Sequence, residues 1–203
     1  MIIDPSELDT HAVYKLLIGA VLPRPIAWVS TKSHDDILNL APYSFFNVVS
    51  REPPMLAISI GPRTGGESYP KDTLTNIRDR QEFVINIVSM PLANAMHESS
   101  INYPPEIDEF ERAGVTPARS EAIAVPRVEE AKINMECTLD RIIELGSDHL
   151  VIGRMQRYHV QDDLFHNGRI DTLKLDPLAR LAGDFSRIET VFNLPLDEQN
   201  PKK

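Results

Sequence analysis

Residues 39–54 read NLAPYSFFNVVSREPP and set two strand signals in conflict. The second half, Asn47-Val48-Val49-Ser50, looks like a strand that stops at Pro53-Pro54. The entry, Ala41-Pro42-Tyr43-Ser44, is a poor start for a buried strand, because proline cannot donate to a ladder. Aromatic bulk here alternates with hydroxyl and amide groups. That leaves two readings: an irregular edge of an antiparallel barrel, or a wall built to lie against something flat and half polar.

The flanking sequence favours a barrel. Upstream, Asp9-Thr10 cap a short helix over HAVYKLLIGA, and Pro23-Arg24-Pro25 stop it. IAWVST (26–31) alternates like a strand, 32–36 is a polar turn, and ILNLA (37–41) completes a hairpin. Downstream, MLAISIG (55–61) is a strand and Pro62 to Pro70 a loop. Asp72-Thr73 cap a helix over LTNIRDRQ (74–81), and EFVINIVS (82–89) is a strand. LANAMHESS (92–100) and EIDEFERA (106–113) read as helices, the second ending at Gly114. INYPP and TPARSEAIAVP read as loops. Ile133, Met135, Cys137 and Leu139 alternate with Asn134, Glu136, Thr138 and Asp140, the pattern of a half-buried antiparallel strand. A turn at 146–148 leads to HLVIGRMQRYHV (149–160), Asn167-Gly168 is a tight turn, and DPLARLAGD (176–184) is a loop or short helix. Strands joined by turns, with short helices at the rim, predict an antiparallel barrel rather than a βαβ sheet.

The length of 203 residues suits one domain over 1–203, with a Pro-rich polar tail from about 190 expected to be mobile. A net charge of -9 argues against nucleic acid as a partner. A single cysteine excludes an intrachain disulfide, and no apolar run approaches the roughly 18–20 residues of a membrane span. MIIDPSELDT has no signal-peptide pattern, so a reducing, cytoplasmic location is expected, with no membrane partner.

Familiar catalytic patterns are sparse in the sequence. His11, His34, His97, His149, His159 and His166 are scattered, with no HxxxH or HExxH, so no metal site is expected. Cys137 sits on the apolar face of its strand and reads as a small buried hydrophobe. There is no GxSxG, GxGxxG or GxxxxGK[ST]. GPRTGGESYPKDTLTNI (61–77) does gather Arg63, two glycines, Ser68, Lys71 and Thr73 before a helix start, where free N–H groups and the helix dipole attract anions. Asp72 would repel a phosphate and better serves as a cap or loop brace. A capped helix after a flexible loop explains the same residues.

Six segments together carry a family likeness: RPIAWVST (24–31), NLAPYSFFNVVSREPP (39–54), KDTLTNI (71–77), EFVINI (82–87), SDHLVIG (147–153) and PLARLAGDF (177–185). In order and spacing they resemble the flavin reductase-like proteins, FMN-binding split β-barrels that include flavoredoxin-type proteins. The resemblance runs from Tyr14 to about Phe185. It implies a mainly β fold with flanking short helices, a six-stranded antiparallel Greek-key split barrel. It further implies a homodimer with FMN near the dimer interface and NADH or NADPH as electron donor. By resemblance, Ala41, Pro42, Tyr43, Ser44, Phe46 and Asn47 line the flavin, with Trp28 and Ser30 on the strand beside them. Lys71 and Thr73 would meet the FMN phosphate, with Asp72 shaping the loop, Asn76 nearby, and Arg24 and Arg63 as further phosphate candidates. Arg180 fits the C-terminal motif, but Phe185-Ser186 replaces an aromatic pair that ends in Tyr. His149 matches a histidine near flavin and nicotinamide and is the catalytic candidate; it also reads as a hairpin-turn residue.

The implied function is an FMN-binding oxidoreductase that moves hydride from NAD(P)H to FMN and on to an acceptor. The alternative is an electron-carrier flavoprotein reduced by a protein donor, and outside the flavin class stands a plain barrel serving as an interaction module. In the flavin readings the absence of an acid–base dyad is expected, since the cofactor carries the chemistry.

Overall fold

The computed structural model describes residues 1–63 and 70–194. In chain order its elements are α1 (Thr10–Ala20), β1 (Ala27–Lys32), β2 (Leu38–Tyr43), β3 (Phe46–Arg51), β4 (Pro54–Ile60), α2 (Asp72–Arg80) and β5 (Glu82–Ile87). There follow α3 (Ala93–Glu98), α4 (Glu109–Ala113), β6 (Pro117–Ala118), β7 (Arg127–Val128), β8 (Ile133–Leu145) and β9 (Asp148–Val160). The chain continues through β10 (Phe165–His166), β11 (Arg169–Ile170), α5 (Thr172–Leu175), β12 (Leu178–Arg180) and β13 (Phe185–Arg187).

Seven strands form one antiparallel sheet in the order β2-β1-β5-β8-β9-β4-β3. The fold is mainly β with short helices, as expected, but the main sheet has seven strands rather than six. The 39–54 stretch holds most of β2 and all of β3, separated only by Ser44 and Phe45, and ends on the first residue of β4. β2 and β3 occupy opposite edges of the sheet. Flat, edges that many strands apart would stand roughly 29 Å from each other at about 4.8 Å per step. A two-residue link reaches only about 10 Å. The sheet therefore curls until its edges approach, and the Ser59 N–H donates to the Phe45 carbonyl at 2.8 Å near the seam. The two edges do not pair among the described residues, so the curl stays open. Pro42 does not interrupt pairing: it sits in register opposite Trp28, and its missing donor matters little because β2 is an edge strand.

The curl separates two cores. Ala27 and Val29 of β1 point inside with Leu56, Ile58, Ile60, Phe83, Ile85, Cys137 and Val151, and Leu74 and Ile77 of α2 fill the opening. Ile26 and Trp28 point outward, into a layer built with Met96 of α3, Phe110 of α4, Val128 and Leu178. Inside, Phe83 lies so close over Gly153 that a Cβ there would fall 2.2 Å from its Cζ.

Local expectations meet mixed outcomes. Asp9 caps α1 through Ala12 N, Gly114 ends α4 in the left-handed region, and Asn167-Gly168 turn β10 into β11. The strand at 133–140 is not half-buried: residues 133–137 are covered on both faces, because the chain at 120–128 packs over Asn134 and Glu136. The 116–126 segment contains β6, and 176–184 contributes β12, which pairs with β13. Asp72 does not cap α2. Lys71 is the N-cap residue, and Asp72 instead forms an ion pair with Arg63. Residues 189–194 are exposed and irregular; the rest of the expected tail lies outside the described residues, as do Gly65, Gly66 and Ser68.

Candidate functional site

A cavity of about 420 Å³ opens between the edge strand β2, the start of α2 and the segment at 99–103 that follows α3. Ala41, Pro42 and Tyr43 form one wall, Arg63, Lys71, Asp72 and Thr73 a second, and Ser99 to Tyr103 a third, with Tyr14 and Arg180 at its side. Its volume falls within the roughly 300–1,000 Å³ typical of small-molecule sites. The Trp28 indole N–H donates to Ser99 Oγ at 2.8 Å, so a core side chain holds the third wall in place.

Beneath the floor runs a buried polar chain. Asn76 Nδ2 donates to Thr31 Oγ1 at 3.0 Å, and the Thr31 and Thr73 hydroxyls both donate to Asn39 Oδ1, at 3.0 and 2.8 Å. Asn39 Nδ2 and the Leu40 N–H donate to Glu109 Oε2, each at 2.6 Å. Glu109 is 6% exposed. Burial first, then the nearby Asp72 and Asp108 carboxylates, push its carboxyl up to about 7 against the opposing Leu40 N–H and Arg63 charge.

Two groups at the cavity lack a full complement of partners. The Tyr43 hydroxyl is buried beside Thr73 yet makes no hydrogen bond of normal geometry among the described residues, and burial pushes the phenol well above its usual range. Lys71 Nζ lies 5.5 Å over the Tyr43 ring. Burial first, then the Arg63 charge, hold its ammonium below the ordinary lysine range, against the favourable Asp148 carboxylate. A half-buried cation beside an orphaned hydroxyl at a helix start is a donor set without an anion. Arg63, by contrast, is committed to Asp72 and the Pro70 carbonyl.

Residues 19–176 match the model of the flavin reductase like domain. The chain belongs to the flavin reductase-like family. A protein of Halalkalibacterium halodurans is 43% identical over 98% of this chain and 99% of its own length. Nitrilotriacetate monooxygenase component B from Bacillus cereus superposes with a TM-score of 0.91 at 40% identity, covering 96% of this chain and 98% of that one. For 2-nitrobenzoate 2-nitroreductase from Pseudomonas fluorescens the values are 0.89, 30%, 100% and 99%.

A flavin is flat and apolar on its faces, and the cavity of this flavin reductase-like chain sets an apolar strand edge beside a polar end. Tyr43, Lys71 over its ring and the first residues of α2 line one part of the cavity, while Ala41 and Pro42 add an apolar strand edge. Of the residues singled out from the sequence, Ala41, Pro42, Tyr43, Arg63, Lys71, Asp72, Thr73 and Arg180 line this cavity. Asn76 stands behind Thr31, and Thr73 turns its hydroxyl proton to Asn39 rather than into the cavity.

Others lie elsewhere. Ser44 lines a neighbouring cavity of about 240 Å³ with His97 and Phe185, and Arg180 belongs to both cavities, its guanidinium 4.4 Å over the Phe185 ring. Trp28 and Ser30 are fully buried core residues, Ser30 donating to the Pro126 carbonyl, because β1 is covered on both faces. Arg24 lines neither of these cavities. It spends its guanidinium on the carbonyls of Ile18, Val21 and Leu181, tying the end of α1 to the 177–187 segment. Phe46 packs on the inner core, Asn47 is exposed and bonds its neighbour's N–H, and His149 pairs with Ile60 in the ladder without lining either cavity.

Asn39, Glu109, Tyr14 and the 99–103 segment also line the cavity, and no motif in the sequence marks them for it. Asn39 lies within residues 39–54. Glu109 follows a capping Asp108 on a five-residue helix, where a glutamate ordinarily reads as a solvated first-turn charge.

Proposed function

We propose that this chain is an FMN-dependent oxidoreductase that accepts hydride from NADH or NADPH and works as a homodimer. The reading rests chiefly on Lys71, Tyr43 with its unpartnered buried hydroxyl, and the α2 N-terminus lining one cavity together. Bound there, FMN would supply the redox chemistry, taking up a hydride and releasing electrons to an acceptor. The residues would do the holding. Lys71 and the α2 N–H groups would neutralise the phosphate, and Tyr43 would donate its free hydroxyl proton. Ala41 and Pro42 would face the ring, and the wall pinned by Trp28 and Ser99 would keep water from one side. Arg180, stacked on Phe185 between the two cavities, is placed to meet an anionic donor or acceptor entering from the smaller one. Support for a dimer comes from α1 and β3, which expose Tyr14, Leu16, Leu17, Val48 and Val49, with Tyr14 meeting Phe45 between them.

The purified protein titrated with FMN and riboflavin tests the site. FMN should bind more tightly, and Lys71→Ala combined with Thr73→Ala should cost FMN roughly thirtyfold or more while costing riboflavin little. Equal losses for both ligands would remove the phosphate assignment. Anaerobic NADH or NADPH should then bleach the bound flavin; bound flavin that neither cofactor bleaches would point to an electron carrier.

A further inference from the structure

Among the described residues, Glu109 is the one buried carboxylate at the cavity that the proposed binding of FMN leaves unused. Its Oε2 accepts from Asn39 Nδ2 and Leu40 N, which orients the Asn39 amide so that Oδ1 receives the Thr73 hydroxyl proton. Thr73 lies at the α2 start, in the same wall as Lys71. Asn39 and Glu109 also line a third cavity of about 210 Å³, bordered by His34, Asp35 and Asp79. The carboxyl thus stands in a partition, with the phosphate corner on one face and a separate polar cleft on the other.

We propose that Glu109 is a positioning residue of the phosphate corner, acting through Asn39 on Thr73, and that it takes up a proton from solvent when a dianionic phosphate monoester occupies the cavity. The inference rests on the FMN reading and goes one step past it. Two negative charges placed in the cavity disfavour an ionised carboxylate in its wall, and the proton that neutralises Glu109 can arrive through the cleft on the far side. Around Glu109 the fixed charges are mixed. Asp72 of α2 and Asp108 of its own element oppose ionisation, and Arg63 favours it. Lys71 faces the same cavity, and His34, Asp35 and Asp79 face the cleft. With the carboxyl poised near neutrality, occupancy can shift its state without a large change in pH.

Calorimetric titration of the full chain with FMN and with riboflavin, at about pH 8 in two buffers of different ionisation enthalpy, tests this. At that pH a phosphate monoester is already dianionic, with a second pKa of roughly 6, and contributes no proton of its own. Wild type should take up roughly half a proton with FMN and none with riboflavin, and its FMN affinity should fall about threefold per pH unit above neutrality. Glu109→Gln, which keeps an acceptor for Asn39 and Leu40, should bind FMN with the uptake abolished and the affinity flat with pH. Equal uptake in wild type and Glu109→Gln overturns the proposal, and its loss in Lys71→Gln would then assign it to the ammonium. Should Glu109→Gln not fold, zero uptake with FMN by wild type is overturning by itself. Failure of FMN to bind either protein removes the flavin reading itself.

Discussion

Two glutamates are almost equally hidden in this molecule, yet their surroundings push them in opposite directions. Glu136 on β8 is 0% exposed and Glu109 on α4 is 6% exposed. Desolvation alone would raise both. Around Glu136, however, the Glu121 N–H, His159 and the Ala122 N–H supply donors at 2.8, 2.5 and 2.7 Å, and together they hold its carboxyl below the ordinary range. Around Glu109, Asn39 Nδ2 and the Leu40 N–H both donate to Oε2, and two carboxylates stand near, so burial wins. Burial therefore does not assign a role; the number and charge of donors does. Glu136 braces the 121–122 segment against the outer face of the sheet, whereas Glu109 sits at the cavity in a state that the contents of the cavity can change.

Removing the brace should have the largest effect. Glu136→Ala strands two backbone donors and His159, and a loss of about 3–5 kcal/mol in urea denaturation is expected. A loss below about 1 kcal/mol would make Glu136 no more structural than Glu109. The next effect is in pH. Because the folded Glu109 carboxyl titrates above its unfolded value, its share of stability is present below about pH 4.5 and is lost as pH rises through about 7. Glu109→Gln should therefore gain roughly 2–3 kcal/mol on wild type between about pH 4.5 and 8, read as the change in their stability difference. A difference that stays constant with pH would erase the contrast. Glu136, held low, has the opposite sign: its contribution is present above its unfolded value and disappears as pH falls through the folded one. The smallest effect is expected from His159→Gln, about 1–2 kcal/mol, since the two backbone donors remain.

The same contrast explains what the sequence disclosed. Hairpins and strands with a period of two were legible, as were the stops at Asp9, Gly114 and Asn167-Gly168, because each depends on neighbours in the chain. The cavity was legible in Ala41–Tyr43 and Lys71–Thr73, which lie within short segments carrying a family likeness. What escaped depends on contacts across the fold. Trp28 and Ser30 share a strand whose faces are both buried, and alternation cannot say which buried face meets a ligand. Arg24 looks available to an anion until α1 delivers the carbonyls of Ile18 and Val21 to it. Glu109 reaches Asn39 from 70 residues away, a pairing that no local pattern encodes. Placing the two strands of 39–54 at opposite edges of one sheet also required knowing that the sheet curls.

That curl has a consequence for the chain's entropy. Closing a loop costs more as the loop lengthens, and here the connection between opposite sheet edges is only Ser44-Phe45, pinned by the Ser59 N–H. The shape of the sheet is thus enforced by the brevity of a covalent tether rather than by a ladder between its edges. A longer tether would leave all six strand pairings possible while freeing the two edges to drift apart, and the wall at Ala41–Tyr43 would drift with them.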